Sequence, residues 1–141
     1  MESIKDIQKY IIEDFSFLPE WDERYAYLIE LGQKMEPLPE QYRTEENIVR
    51  GCQSTVWLHS DCQGDRVYFK ADSDSLIVKG LAALLIRVFS GQPAEQVLNA
   101  DLVFFEETGL SKHLSSQRTN GLMAMIEEIK TVALKCKAGE I

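Results

Sequence analysis

The sequence predicts an α+β domain, a small antiparallel β-sheet packed against helices. Apolar residues recur at helical spacing through residues 3–34, through 76–90 and from about 118 to 137. Between them stand two β-type runs, 55–59 and 66–71, around a short glycine-containing turn. The order is helix-helix, hairpin, helices, with no strand-helix-strand repeat that would call for a parallel sheet. The 141 residues, 45% of them hydrophobic, fit a single domain over residues 1–141 with a real core.

Ser3-Ile4-Lys5-Asp6 resembles a capping box, and Ile4, Ile7, Ile11, Ile12 and Phe15 then mark one apolar stripe, so residues 3–15 read as an amphipathic helix. Phe17-Leu18-Pro19 breaks it. A second helix runs from about Glu20 to Lys34, with Trp21, Tyr25, Leu28 and Met35 on one face. Its first-turn acids Glu20, Asp22 and Glu23 suit the positive end of the helix dipole. Pro37, Pro39 and many polar residues make 36–47 an irregular connector.

Thr55-Val56-Trp57-Leu58-His59 and Arg66-Val67-Tyr68-Phe69-Lys70-Ala71 read as hairpin strands. Asp61-Cys62-Gln63-Gly64-Asp65 supplies turn chemistry and places Cys62 in or near the turn. Asp72 to Ser75 offer N-caps to a helix over Leu76–Ser90 that is apolar on most faces, hence the central buried helix. Gly80 inside it allows close packing, expected against the sheet. Pro93 opens a short helix over Ala94–Leu98. Leu102-Val103-Phe104-Phe105 reads as a short strand or a buried loop, and 109–117 as a polar connector carrying His113. The last helix starts at Arg118 or Thr119 and ends near Lys137, with Leu122, Met125, Ile126, Ile129, Val132 and Ala133 on its buried face.

The chemically distinctive stretch is Arg50-Gly51-Cys52-Gln53-Ser54-Thr55-Val56-Trp57. A cysteine kept for packing sits among apolar neighbours, because free Cys behaves as a small hydrophobe. Cys52 stands instead in a polar loop at the mouth of a strand, a setting that suits a thiol used for chemistry. The thiolate is the nucleophile, and a positive charge such as Arg50 is expected to lower the thiol pKa.

The net charge is -8. Residues 1–50 carry 12 acids against 6 bases, and residues 112–141 carry 5 bases against 3 acids. Such acidity argues against nucleic acid as a partner. No run approaches the ~20 apolar residues of a membrane span, and the charged start Met1-Glu2-Ser3-Ile4-Lys5-Asp6 carries no signal-peptide core. A cytoplasmic protein, not membrane-bound, is expected. Cys52, Cys62 and Cys136 are an odd count without framework-like spacing, so all three are expected as free thiols.

The cysteine stretch resembles the signature of the SufE family, sulfur acceptors for SufS-type cysteine desulfurases. Three further blocks match in order: Ala71-Asp72-Ser73-Asp74-Ser75-Leu76-Ile77-Val78-Lys79-Gly80-Leu81, then Ser90-Gly91-Gln92-Pro93-Ala94-Glu95, then His113-Leu114-Ser115 leading to Arg118-Thr119-Asn120-Gly121-Leu122. Ser116-Gln117 departs from the family's more usual Pro-Ser before the arginine. The resemblance spans nearly the whole chain and implies the fold shared by SufE and IscU-type scaffolds. It implies that Cys52 accepts persulfide sulfur from a pyridoxal-phosphate desulfurase, stimulates that enzyme, and hands the sulfur to a downstream iron-sulfur scaffold complex. Arg118, at a family motif position, and Arg50 are then the candidates for stabilising the Cys52 thiolate. Sulfur transfer is thiolate attack on a sulfur-sulfur bond and asks for no metal or cofactor in the acceptor itself. The chain is expected to act as acceptor and activator rather than as a stand-alone enzyme. Its oligomeric state stays open, a homodimer included.

Two rival chemistries use the same residues. A metal- or cluster-binding scaffold of the IscU type would draw on Cys52, Cys62, His59, His113 and Cys136, although no close cysteine pair marks such a site. A cysteine hydrolase would pair Cys52 with His113 as base.

Overall fold

A computed structural model describes residues 2–141. The described residues form seven helices and one two-stranded antiparallel sheet. The helices are α1 (Ile4–Ser16), α2 (Trp21–Lys34), α3 (Leu76–Phe89), α4 (Ala94–Asn99), α5 (Phe104–Glu107), α6 (Leu110–His113) and α7 (Ser116–Lys137). The strands are β1 (Val56–Gln63) and β2 (Arg66–Ser73), and single 3-10 turns at Glu40–Tyr42 and Glu45–Asn47 relieve the 36–47 connector. The α+β reading holds.

Local chemistry explains the element starts. Ser3 Oγ accepts from the Asp6 amide at 3.1 Å, Ser75 Oγ from the Val78 amide at 3.4 Å, and Ser115 Oγ from the Arg118 amide at 3.3 Å. The last of these starts α7 at Ser116, two residues earlier than the periodicity alone suggests.

Helix α3 is the buried centre, packed against α2, β2 and α7. Val78, Leu81, Leu84, Leu85, Val88 and Phe89 along it are each at most 5% exposed. Gly80 faces α2 rather than the sheet. A Cβ built there would lie 2.2 Å from the Leu28 carbonyl oxygen, so only glycine permits this approach.

The hairpin is longer than the sequence suggests. Its register pairs Leu58 with Ala71, Ser60 with Phe69, Cys62 with Val67 and Gln63 with Arg66, which leaves only Gly64 and Asp65 as the turn. Cys62 is therefore a strand residue. Side chains alternate across a strand, so it shares the core-facing side with Val56 and Leu58.

Residues 109–117 are not a polar connector throughout, since 110–113 form α6 with Leu110 fully buried. Two more expectations fail for tertiary reasons. Residues 104–107 form a helical turn, not a strand or loop, because Gln8 from α1 caps them across space. Its Oε1 accepts from the Val103 and Phe104 amides at 2.8 and 3.1 Å, and its Nε2 donates to the Asp101 carbonyl at 3.0 Å. Cys62 and Cys136 are not free thiols but a disulfide, with Cα atoms 5.7 Å apart. The stripe Leu122, Met125, Ile129, Val132 continues to Cys136 on the buried face of α7 and meets the inward face of the hairpin tip. No described helix is long and apolar enough to cross a membrane.

Candidate functional site

The loop between the Glu45–Asn47 turn and β1 carries Cys52, the chain's free cysteine. Gly51 takes φ +94°, a left-handed conformation that side chains resist, and this turns the chain so that Cys52 faces α7. The Cys52 thiol is half-buried and donates to the Gly121 carbonyl at 3.6 Å. Gly121 lies against it: a Cβ there would stand 3.5 Å from Sγ. The downstream end of the loop is clamped by the start of the Asp72–Ser75 block. Thr55 donates its amide to Asp74 Oδ1 at 3.1 Å, its carbonyl accepts from the Asp74 amide at 3.2 Å, and the same carbonyl accepts from Ser73 Oγ at 2.9 Å.

Asp72 anchors that block. It is buried, and it pairs with Arg43 and, at 3.2 Å, with Lys79. Burial opposes its charge, but the Ser73 amide, Lys79 and Arg43 outweigh that and hold its carboxyl below the usual carboxylate range.

A cavity of about 320 Å³ opens beside the thiol. Cys52, Gln53 and Ser54 form one wall, Ser75 and Val78 from the start of α3 a second, and Ser115, Gln117, Arg118 and Gly121 from the start of α7 a third. The cysteine stretch thus meets two of the three further blocks, those beginning at Ala71 and at His113, whereas no residue of the Ser90 to Glu95 block lines the cavity. Arg118 joins Cys52 there, together with the N-terminal turn of a 22-residue helix, whose positive end favours an anion. Arg50 does not join them. It is 75% exposed and turns to Glu45 at 3.7 Å. The expected lowering of the thiol pKa is not found: burial pushes the Cys52 thiol up, so at rest it is held protonated.

The residues of the rival chemistries are dispersed. His113 stacks on Trp21 with ring centroids 3.7 Å apart, and His59 stacks on Tyr42 at 3.6 Å. Cys62 and Cys136 are consumed by each other. Among the described residues no three His, Cys, Asp or Glu side chains are grouped to hold a metal ion.

Sequence reasoning missed the backbone carbonyl of Gly121 and the hydroxyls of Ser75 and Ser115. All three residues stood inside the matching blocks quoted from the sequence, which assigned them no place at the thiol, and the apolar period of α7 sets Gly121 beside the buried Leu122.

Comparison with known proteins bears on the family and the fold. Residues 9–133 match the SufE family, described as an Fe-S metabolism associated domain. An uncharacterized SufE-like protein of Rhizobium meliloti (strain 1021) is 48% identical over 128 residues, covering 87% of this chain and 91% of the relative. A second, from Rhizobium etli, is 44% identical over 128 residues, covering 87% and 86%. The solution structure of a hypothetical protein from Thermus thermophilus superposes with a TM-score of 0.77 at 27% identity, over 94% of this chain and 96% of that one. From the matched domain and these relatives, the chain belongs to the SufE family, which is associated with iron-sulfur metabolism.

Proposed function

We propose that the protein is a sulfur carrier: Cys52 takes sulfur from the persulfide of a pyridoxal-phosphate-dependent, SufS-type cysteine desulfurase and passes it to the iron-sulfur assembly machinery. The observation that carries this reading is the free thiol of Cys52, half-buried at the mouth of a polar cavity with Arg118 and the N-terminus of α7.

The step is a thiol exchange. The Cys52 thiolate attacks the terminal sulfur of the desulfurase persulfide, and the bond between that sulfur and the desulfurase cysteine breaks. The desulfurase cysteine leaves as a thiolate and takes up the proton that Cys52 gave up. Cys52 then carries the persulfide, and the desulfurase, cleared of its product, is free for another turnover. This is how an acceptor stimulates its donor.

At rest the buried thiol is protonated and bonded to Gly121, which protects it from stray oxidants. Attack requires the loop to swing Cys52 outward, where burial no longer opposes the thiolate, and Gly51 supplies the pivot. On return, the added sulfur extends about 2 Å beyond Sγ. The cavity of about 320 Å³ has room for it, and Arg118 with the first turn of α7 offers positive charge.

The test is an intact mass, taken without reductant, after incubation with a cysteine desulfurase and L-cysteine. The wild type gains one sulfur atom and Cys52→Ser gains none. Sulfur retained by Cys52→Ser, or none on wild type beside a demonstrably active desulfurase, would sink the assignment.

A further inference from the structure

The second cysteine chemistry of the chain lies at the opposite end of β1 from the sulfur-carrier site. The strand rises about 3.3 Å per residue, so Val56 and Cys62 are separated by roughly 20 Å. The Cys62–Cys136 bond therefore takes no part in chemistry at Cys52. It joins the hairpin tip to the last turn of α7 across 74 residues of sequence.

We infer that Cys62–Cys136 is a reversible thiol-disulfide modification site, opened by a dithiol reductant through attack at Cys62 and closed again by a disulfide oxidant. Three features of the structure support this. The bond is asymmetric in access: Cys62 is half-exposed next to a two-residue turn, whereas Cys136 is 6% exposed. Carbonyl oxygens are already in place for both thiols of the opened form. The Gly64 carbonyl lies 3.6 Å from Cys62 Sγ, and the Gly64 and Arg66 carbonyls lie 4.0 and 3.9 Å from Cys136 Sγ. Each can accept an S–H bond, so neither thiol is left unsatisfied when the bond opens. Finally, the fold does not hang on the bond. The end of α7 also packs on α4, with Lys137 3.7 Å from Glu95, and its buried stripe continues inward from Ala133.

The step balances as two exchanges. A thiolate of the dithiol attacks Cys62 Sγ, and Cys136 leaves as a thiolate that takes up a proton. The second thiol of the reductant then attacks the mixed disulfide and releases Cys62, so the reductant departs as a cyclic disulfide. Two electrons pass from dithiol to protein, and two protein thiols result.

The test uses the full chain with Cys52→Ser, which leaves this pair as the remaining cysteines. The protein is equilibrated without denaturant in mixtures of reduced and oxidised dithiothreitol, quenched in acid, alkylated and weighed intact. Mass should move between zero and two alkyl groups in one reversible transition, with the helical circular dichroism unchanged. A pair that opens only in denaturant, or whose opening costs the helical signal, would show a fixed structural cross-link and overturn the inference. So would a pair that fails to re-form in the oxidised mixture. Direction of attack is read from single-cysteine chains, Cys136→Ser and Cys62→Ser in the same background, exposed to glutathione disulfide. Cys62 should capture glutathione about tenfold faster than Cys136, because access governs thiol reactivity. Equal rates would remove attack at Cys62.

Discussion

Removing the Cys62–Cys136 cross-link by Cys136→Ala should lower the melting temperature by several degrees, and the structure sets the size. The bond closes a loop across 74 residues. Chain entropy for a loop of that length gives about 4.4 kcal/mol at 25 °C, and native disulfides of small domains return about 2 kcal/mol at the low end. At about 2.1 cal/mol/K per residue, a chain of 141 residues unfolds with an entropy near 0.3 kcal/mol/K. The fall should thus lie between about 7 and 15 °C. Alanine is the better replacement because Cys136 is buried, and a serine hydroxyl would add a desolvation cost of its own. The assay is a pair of thermal scans, with and without a dithiol reductant. Wild type should drop on reduction by about as much as the variant drops by mutation. The variant should then ignore the reductant. A variant within about 2 °C of wild type, or one that still loses stability on reduction, would refute the loop-closure reasoning.

Four further outcomes follow from the site and the core. Alkylation of Cys52 should be slow at neutral pH and rise with a midpoint above the ordinary thiol value, since burial raises it; a midpoint at or below the free-cysteine value in the folded protein would contradict the buried resting state. Arg118→Ala should slow sulfur uptake about 10- to 100-fold with little change in melting temperature, as expected for one charge-assisted contact, whereas Arg50→Ala should leave uptake nearly unchanged; equal effects would place the wrong arginine at the cavity. Asp72→Asn should cost about 2 kcal/mol at neutral pH, read from denaturant midpoints. Its carboxyl is depressed in the folded state, so its contribution is present above the unfolded carboxyl range and is lost as pH falls through the folded value; a wild-type advantage over the variant that persists below that value would be the contrary result. Gly80→Ala should cost about 3 kcal/mol, because its Cβ would stand 2.2 Å from the Leu28 carbonyl oxygen and backbone must shift to admit it; a neutral substitution would mean that α2 and α3 are farther apart.

The parts of this fold legible in the sequence are those whose cause is local. The apolar periods of α1, α2, α3 and α7, the serine caps and the alternation of the hairpin all act within a few residues. The turn at Phe104 was not legible, because the acceptor that caps it belongs to Gln8, over ninety residues away. The cross-link is a different case. Spacing between cysteines carried no signal, yet the signal was present in the elements. Cys62 keeps the inward parity of Val56 and Leu58, and Cys136 continues the stripe of Leu122, Met125, Ile129 and Val132. Both cysteines are core-facing positions at the ends of their elements, and only the packing of α7 on the hairpin shows that the ends coincide. At the site, sequence neighbourhood favoured Arg50. The thiol of Cys52 faces α7, and the cavity beside it is lined by Arg118, distant in sequence, while Arg50 turns to Glu45.

The division of labour among the three cysteines has a chemical consequence for the proposed carrier. A persulfide has two sulfurs open to attack. A thiolate that strikes the outer one carries sulfur onward, but one that strikes the inner sulfur forms a disulfide and expels hydrosulfide, so the cargo is lost. A second free thiol within reach of Cys52 would make that loss intramolecular and fast. Here the other two sulfurs are tied to each other at the far tip of the hairpin, roughly 20 Å along β1 from the strand's start. Even with the bond open, Cys136 stays buried on α7, and Cys62 is held in its strand register opposite Val67. The loop that carries Cys52 is held at its downstream end, where Thr55 bonds to Ser73 and Asp74. Geometry therefore restricts the thiols able to reach a persulfide on Cys52 to those of a docked partner. That is the condition under which a carrier delivers sulfur instead of releasing it.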